Sequence, residues 1–170
     1  MLREAQPHDR ENVRRWRNHP QVRAVSFTTH EIGADEHAAW WDRVAADPAR
    51  RLLIYVDPDG VDSGVVLFER YDPAAETASW GFYLDLAGLD ERGGALSAWL
   101  GVQREAVEYA FDTLGLSVLS GEVLEDNTVV RRANRRFGFV EGPPMTRDGV
   151  AYREITLRRE ARRTLSAHKR

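Results

Sequence analysis

Thr77-Ala78-Ser79-Trp80-Gly81-Phe82-Tyr83-Leu84, followed after a few residues by Asp90-Glu91-Arg92-Gly93-Gly94-Ala95-Leu96-Ser97, is the stretch on which the fold turns. The first segment is rich in aromatic residues that suit a pleated surface and reads as a strand. The second is polar and carries adjacent glycines, so 90–94 reads as a loop. From there Leu96, Trp99, Leu100, Ala106, Val107, Ala110, Phe111 and Leu114 recur with the period of a long amphipathic helix, which Gly115 closes. A strand that empties through a glycine-bearing loop into a helix start presents free backbone N–H groups and the positive end of the helix dipole, a setting for an anionic phosphate. On its own, Gly-Gly before a helix is equally well a plain turn.

Toward the N-terminus, a short opening strand precedes a helix expected over Pro7 to Asn18, with Asp9 as cap, Val13 and Trp16 inward, and Pro20 as its stop. A second helix is expected over Ala34 to Ala46, where Ala38, Trp41, Val44 and Ala45 recur at helical steps and His37 shares the stripe. Leu52 to Val56 and Ser63 to Glu69 read as a hairpin around Asp57-Pro58-Asp59-Gly60. Toward the C-terminus, Ser117 to Leu124 reads as a strand, Asp126 or Asn127 caps a short helix to Phe137, and Gly138-Phe139 leads into a last hairpin ending near Arg158. The expected order is β-α-α-β-β-β-α-β-α-β-β, an α+β domain with one mixed sheet flanked by about four helices. One domain over 1–158 and a basic tail over 159–170 account for the chain.

Composition narrows the function. At 170 residues, 42% hydrophobic and 30% charged, the chain suits a single globular domain. A net charge of -3 gives no basic field for nucleic acid, and the basic tail reads as a solvated terminus. The absence of cysteine excludes disulfides, thiolate metal sites and thiol nucleophiles. His30 and His37 have no third ligand nearby, so no metal is expected. Met1-Leu2-Arg3-Glu4-Ala5 lacks a signal-peptide pattern, and no apolar run approaches the roughly 20 residues that span a bilayer, so neither membrane nor export is expected and the location read is cytoplasmic.

The element order, the loop after the fourth strand, and Glu125-Asp126-Asn127 followed by Phe137-Gly138-Phe139 resemble the GNAT acetyltransferase superfamily over nearly the whole chain. The resemblance implies a GNAT fold, mostly antiparallel, with fourth and fifth strands splayed apart. It further implies acetyl-coenzyme A as cofactor, with pantetheine against Phe82, Tyr83 and Leu84, pyrophosphate on Arg92, Gly93, Gly94, Ala95, Leu96 and Ser97, and Asn127 bonding the cofactor arm. It leaves a homodimer open. Two features depart from the family pattern. The small residues of 92–97 do not match the usual phosphate-loop spacing, and Asn134 stands where many members carry a tyrosine that protonates the departing thiolate. An amide cannot act as that acid, although helical spacing places Asn134 on the inward face with Val130, Ala133 and Phe137, where it needs a hydrogen-bond partner and could orient the thioester.

The acceptor must be a free amine, because an ammonium has no lone pair for attack. Glu122 is the first candidate to take its proton, with Glu69 and His37 behind it, and Tyr83 is a candidate donor. Within the superfamily, Trp16-Arg17-Asn18-His19-Pro20, Val22-Arg23, Ile32, Glu36-His37 and Trp40-Trp41 resemble the branch that acetylates nucleotide-linked amino sugars. The same region is also similar to enzymes that acetylate ribosomal-protein N-termini. Arg17, Asn18, Arg23, His37 and Trp41 are therefore candidates to bind a small-molecule amine, the arginines through phosphate and Trp41 by stacking. A catalytically inactive acyl-coenzyme A-binding module of the same fold is the reading from another class.

Overall fold

The computed structural model describes residues 1–162. Its strands are β1 (Leu2–Glu4), β2 (Arg51–Val56), β3 (Asp62–Asp72), β4 (Thr77–Leu84), β5 (Val118–Leu124), β6 (Val140–Arg147) and β7 (Val150–Arg158). Its α-helices are α1 (Arg10–Arg17), α2 (Pro20–Ala24), α3 (Ala34–Ala46), α4 (Leu86–Arg92), α5 (Ala95–Glu108) and α6 (Thr128–Phe137). The strands form one sheet in the order β1-β2-β3-β4-β5-β7-β6, antiparallel except where β4 runs parallel to β5. This is the expected α+β architecture with two additional helices.

Both additions correct the sequence reading. Pro20 begins α2 instead of ending α1: a proline needs no N–H at the first helical position, and the His19 ring accepts from Gln21 N–H at 3.3 Å to cap the new turn. The stretch before the double glycine is α4, capped by Asp85, whose side chain accepts from Gly88 N–H at 3.2 Å. Gly93, at φ +67°, ends α4 in the left-handed region. The helix expected to reach Leu114 widens after Glu108 into a π turn over Tyr109–Thr113. The Asp9 side chain does not cap α1 but closes the capping box of the 3-10 turn Pro7–Asp9. It accepts from Gln6 N–H at 2.7 Å and pairs with Arg3 at 2.8 Å, and Arg3 also reaches Asp62. Of the expected basic tail, Arg159–Ala161 forms a 3-10 turn with Arg159 Nε donating to Leu116 O at 2.9 Å, and 163–170 lie outside the described residues.

The two sheet faces carry separate cores. Against α5 lie Phe68, Trp80, Leu84, Leu119 and Leu157 with Val102, Ala106 and Phe111; against α1 and α3 lie Ile54 and Val65 with Val13, Trp16 and Trp41. Gly101 on α5 lets Tyr55 approach the helix, because a Cβ there would collide with the Tyr55 hydroxyl.

The parallel pair is short. β4 and β5 are in register from Thr77↔Val118 to Trp80↔Gly121, and there the pairing stops. Beyond that point β4 follows β3 to Leu84↔Gly64, while β5 follows β7 to Leu124↔Tyr152. Aromatic rings hold the strands apart: Trp80 stacks on Phe82 at 5.4 Å and on Phe139 at 5.9 Å, and Phe82 meets Trp99 edge-on at 5.4 Å. At the last paired position Gly121 is required for closeness, since a Cβ there would stand 3.1 Å from Trp80 O.

Candidate active site

The splay opens a cleft of about 420 Å3 through the sheet. Its walls are largely apolar, with Phe82, Leu84, Trp99 and Val130 among the lining residues, and β4 backbone beyond Trp80 has no strand partner on this side. At one end is the start of α5. The first bond that closes this helix is Ala98 N–H to Gly94 O at 3.0 Å, which leaves the N–H groups of Ala95, Leu96 and Ser97 without a backbone acceptor. Ala95 lines the cleft, while Leu96 and Ser97 are exposed at its mouth. The Arg92 side chain turns aside: its Nη2 donates to Ser63 Oγ at 2.9 Å and pairs with Asp57 at 3.4 Å, bracketing α4 to the turn between β2 and β3. An anion at this end would meet backbone N–H groups and the positive end of the helix dipole.

These features fit a thioester cofactor with a pyrophosphate arm. An anion has unpaired donors to meet, and an amide-bearing arm has unpaired β4 backbone to lie against. Asn127 lines the cleft and also caps α6, its side chain accepting from Val130 N–H at 3.5 Å.

Asn134, one helical turn deeper than Val130, lies in the wall and is 1% exposed. Its Oδ1 accepts from Gln103 Nε2 at 3.3 Å, and its Nδ2 has no partner. Gln103 was absent from the sequence reading, although it occupies a buried position on α5 among Ala98, Val102, Ala106 and Val107. A polar side chain at an inward helical position was the signal that could have found it.

At the opposite end, Glu122 on β5 stands where the pairing with β4 has just ended. Arg147 holds it with two bonds of 2.8 Å, and this guanidinium keeps the Glu122 carboxyl below its ordinary range. Arg147 itself lies over both Phe27 and Tyr152, 4.7 Å from each ring centroid, the two rings meeting edge-on at 5.3 Å. No sequence pattern announced Arg147, because the register of the β6–β7 hairpin brings it there. Tyr83, half-buried in the cleft wall, has its hydroxyl pushed up by burial, so it remains a donor throughout the neutral range. Glu69 lies with Glu122 on a second, polar pocket outside the cleft and pairs with Arg50 at 3.6 Å.

The remaining acceptor candidates divide. Val22, Val25 and Phe27, from α2 and the loop after it, line the cleft; Arg17 and Arg23 are outside the lining, Arg17 near Tyr83. Burial draws the Arg17 guanidinium down, its Nη2 donates to Thr28 O at 3.0 Å, and Nη1 is buried without a partner; Arg23 Nε is likewise buried and unpartnered. Asn18 uses both ends of its amide on Ile32, at 2.9 and 2.7 Å, and so pins the loop before α3. His37 and Trp41 are buried on α3, outside the cleft lining, with ring centroids 6.2 Å apart.

Among the described residues no group of acidic, histidine or cysteine side chains could hold a metal, and no helix is long and apolar enough to cross a membrane. Residues 1–140 match the family model of the acetyltransferase (GNAT) domain. No curated protein sequence matches the chain. Among solved structures, spermidine N-acetyltransferase from Vibrio cholerae in complex with CoA and spermine superposes with a TM-score of 0.81 at 16% identity, covering 95% of this chain and 96% of that one. A protein provisionally assigned as a phosphinothricin N-acetyltransferase superposes with a TM-score of 0.74 at 21% identity, covering 93% and 97%. At such identities these two likenesses speak for the fold, and the match over 1–140 speaks for the family. With the splayed strands and the donor-lined start of α5, it follows that the chain belongs to the GNAT acetyltransferase family and is an N-acetyltransferase that uses acetyl-coenzyme A.

Proposed function

We propose that this enzyme acetylates the primary amine of a small molecule that also carries an anionic group, an amino sugar linked to a nucleotide being the acceptor that best suits the Trp16–Pro20 region. The observation that carries the anionic requirement is the pair Arg17 and Arg23. Among the described residues neither guanidinium has a carboxylate partner, and each buries an unbonded nitrogen, that of Arg17 on a side chain near Tyr83 of the cleft wall. Buried cations left unpaired are costly, and a phosphate or carboxylate on the acceptor would satisfy both. A polyamine, the ligand of the Vibrio cholerae neighbour, carries ammonium groups beyond the one that Glu122 would orient and would leave both guanidiniums unmatched.

Bound acetyl-coenzyme A supplies an acetyl group activated as a thioester. The backbone N–H groups of Ala95, Leu96 and Ser97 would hold its pyrophosphate end, and Phe82, Tyr83 and Leu84 would flank its pantetheine arm. Glu122, kept anionic by Arg147, draws the acceptor's ammonium to the splay point and orients it. A carboxylate so stabilised is a weak proton sink, so the proton passes through Glu122 to water at the open end of the cleft. The neutral amine would then take the acetyl group directly, with no covalent enzyme intermediate; the thioester C–S bond breaks, and the proton shed by the acylated nitrogen is matched by one gained from water by the departing thiolate.

Asn134 favours a second reading, an acyl-coenzyme A-binding module without turnover, because the position lacks an ionisable acid. Thermal stabilisation by acetyl-coenzyme A, followed by thiol release with UDP- and TDP-linked amino sugars, peptides and spermidine, separates the readings. Stabilisation with thiol release only for the anionic acceptors is expected. Stabilisation without release from any amine would favour the module, and release with spermidine alone would overturn the anionic acceptor.

A further inference from the structure

We infer that Arg70 is a specificity-determining residue that holds a carboxylate of the acceptor, in a polar pocket that continues from the cleft past Glu122. The inference rests on the reading of Glu122 as the group that draws the acceptor's amine. Glu122 lines both the cleft and this second pocket of about 370 Å3, whose other charged side chains are Asp47, Arg50, Glu69, Arg70 and Arg147. Arg50 faces Asp47 at 3.2 Å and Glu69 at 3.6 Å, and Arg147 faces Glu122 at 2.8 Å. Among the described residues Arg70 is the one guanidinium of the pocket that no carboxylate meets. Its Nε donates to Ser79 Oγ at 3.2 Å, which tethers the side chain to β4 just before the splay and leaves both Nη atoms without an acceptor among the described residues. The backbone is strained to place it there. Arg70 sits at φ +52° within β3, whereas Glu76 and Asp148, the other non-glycine residues in the left-handed region, lie in hairpin turns. Arg70 and Tyr71 form a bulge between the pairs Glu69↔Ser79 and Asp72↔Thr77. A bulge whose first residue is left-handed ordinarily carries glycine, and bulges re-aim side chains beside functional sites. The bond to Ser79 offsets little of that strain, whereas a carboxylate on the free fork of the guanidinium forms two charge-assisted bonds. Three guanidiniums and three carboxylates leave the pocket neutral, so a single negative charge matches the unpaired Arg70, while a dianion would also be repelled by Asp47 and Glu69. Arg70 is close enough to Glu122 to help hold its carboxyl below the ordinary range, so one amino carboxylate reaches both. Arg17, near Tyr83, lies on the other side of the splay point from Ser79 and is a separate position.

The test titrates β-alanine, 4-aminobutanoate and 6-aminohexanoate, each against the alkylamine of matching length, into the protein saturated with coenzyme A, which has no acetyl group to transfer. Calorimetry reads the dissociation constants. In the unmodified protein the best-fitting carboxylate is expected to bind about tenfold more tightly than its matched alkylamine. Arg70→Gly should erase that gain and, with the backbone strain relieved, melt about 2–4 °C higher. Arg70→Asn, whose short side chain also tolerates the left-handed region, repeats the measurement if the Gly variant does not fold. With acetyl-coenzyme A, either substitution should raise the KM for the carboxylate about tenfold while kcat changes less than about twofold. No gain over the alkylamine at any length overturns the inference, as does a gain that survives Arg70→Gly. Loss of such a surviving gain in Arg17→Gln would assign the anion to Arg17 and leave the anionic acceptor standing. Should Glu122→Gln leave alkylamine binding unchanged while Arg70→Gly removes the carboxylate gain, the amine reading of Glu122 falls and the carboxylate position stands. A gain that depends on Arg70 without thiol release from any amine would likewise overturn the enzymatic reading alone.

Discussion

The two ends of the cleft are built from different materials. At the α5 end the groups open to a ligand are backbone: the N–H groups of Ala95, Leu96 and Ser97, with the Arg92 side chain bonded away to Ser63 and Asp57. At the splay end they are side chains: Glu122 gripped by Arg147, with Arg147 over the rings of Phe27 and Tyr152. A backbone site depends on chain geometry and tolerates changes of side chain. A side-chain site can be retuned by one substitution, and the end facing the variable partner is the one built that way.

The comparison breaks most sharply at Glu122. Glu122→Gln should lower kcat/KM for the amine about 100-fold while the affinity for acetyl-coenzyme A stays within about twofold, measured by steady-state kinetics and calorimetry. A loss of cofactor affinity of the same size would mean that the two ends are not separate. The converse substitution is Gly93→Val. Forcing a β-branched residue into φ +67° costs about 1–2 kcal/mol and displaces the start of α5, so acetyl-coenzyme A should bind about tenfold more weakly with the amine KM little changed.

A smaller effect concerns α3, which the sequence reading placed among the substrate contacts. Burial holds the His37 imidazole below its ordinary value of 6.5. The unfolded chain therefore takes up the proton first as pH falls. The stabilisation from neutral His37 is complete above that value and is lost as pH drops through the lowered folded-state value. The melting temperature should decline on acidification below pH 6.5, and His37→Gln should flatten the decline. Unchanged amine KM in that variant would support a purely structural role, and a raised one would restore His37 to the acceptor site. The smallest effect belongs to Ser97→Ala: if the helix start binds through N–H groups, removing the hydroxyl should leave cofactor affinity within about twofold.

Periodicity and turn chemistry made much of this legible. The aromatic strand Thr77–Leu84, the long stripe of α5 and the Asn127 cap follow from local preferences that neighbouring residues enforce on each other. Local rules misread Pro20 and the stretch before Gly93, because a proline or a polar run is compatible with either the end of one helix or the start of another. Which occurs depends on caps, His19 and Asp85, whose partners lie only two or three residues away but whose helices pack on distant strands.

By itself the sequence determined the family and the order of the seven strands and the longer helices, since each depends on contiguous residues. Tertiary structure alone decided the acceptor end. The grip of Arg147 on Glu122 spans 25 residues and that of Gln103 on Asn134 spans 31, so no local pattern encodes them. They exist only because strand register and helix packing bring those side chains within hydrogen-bond reach, and side-chain hydrogen bonds, unlike backbone ladders, leave no period to read.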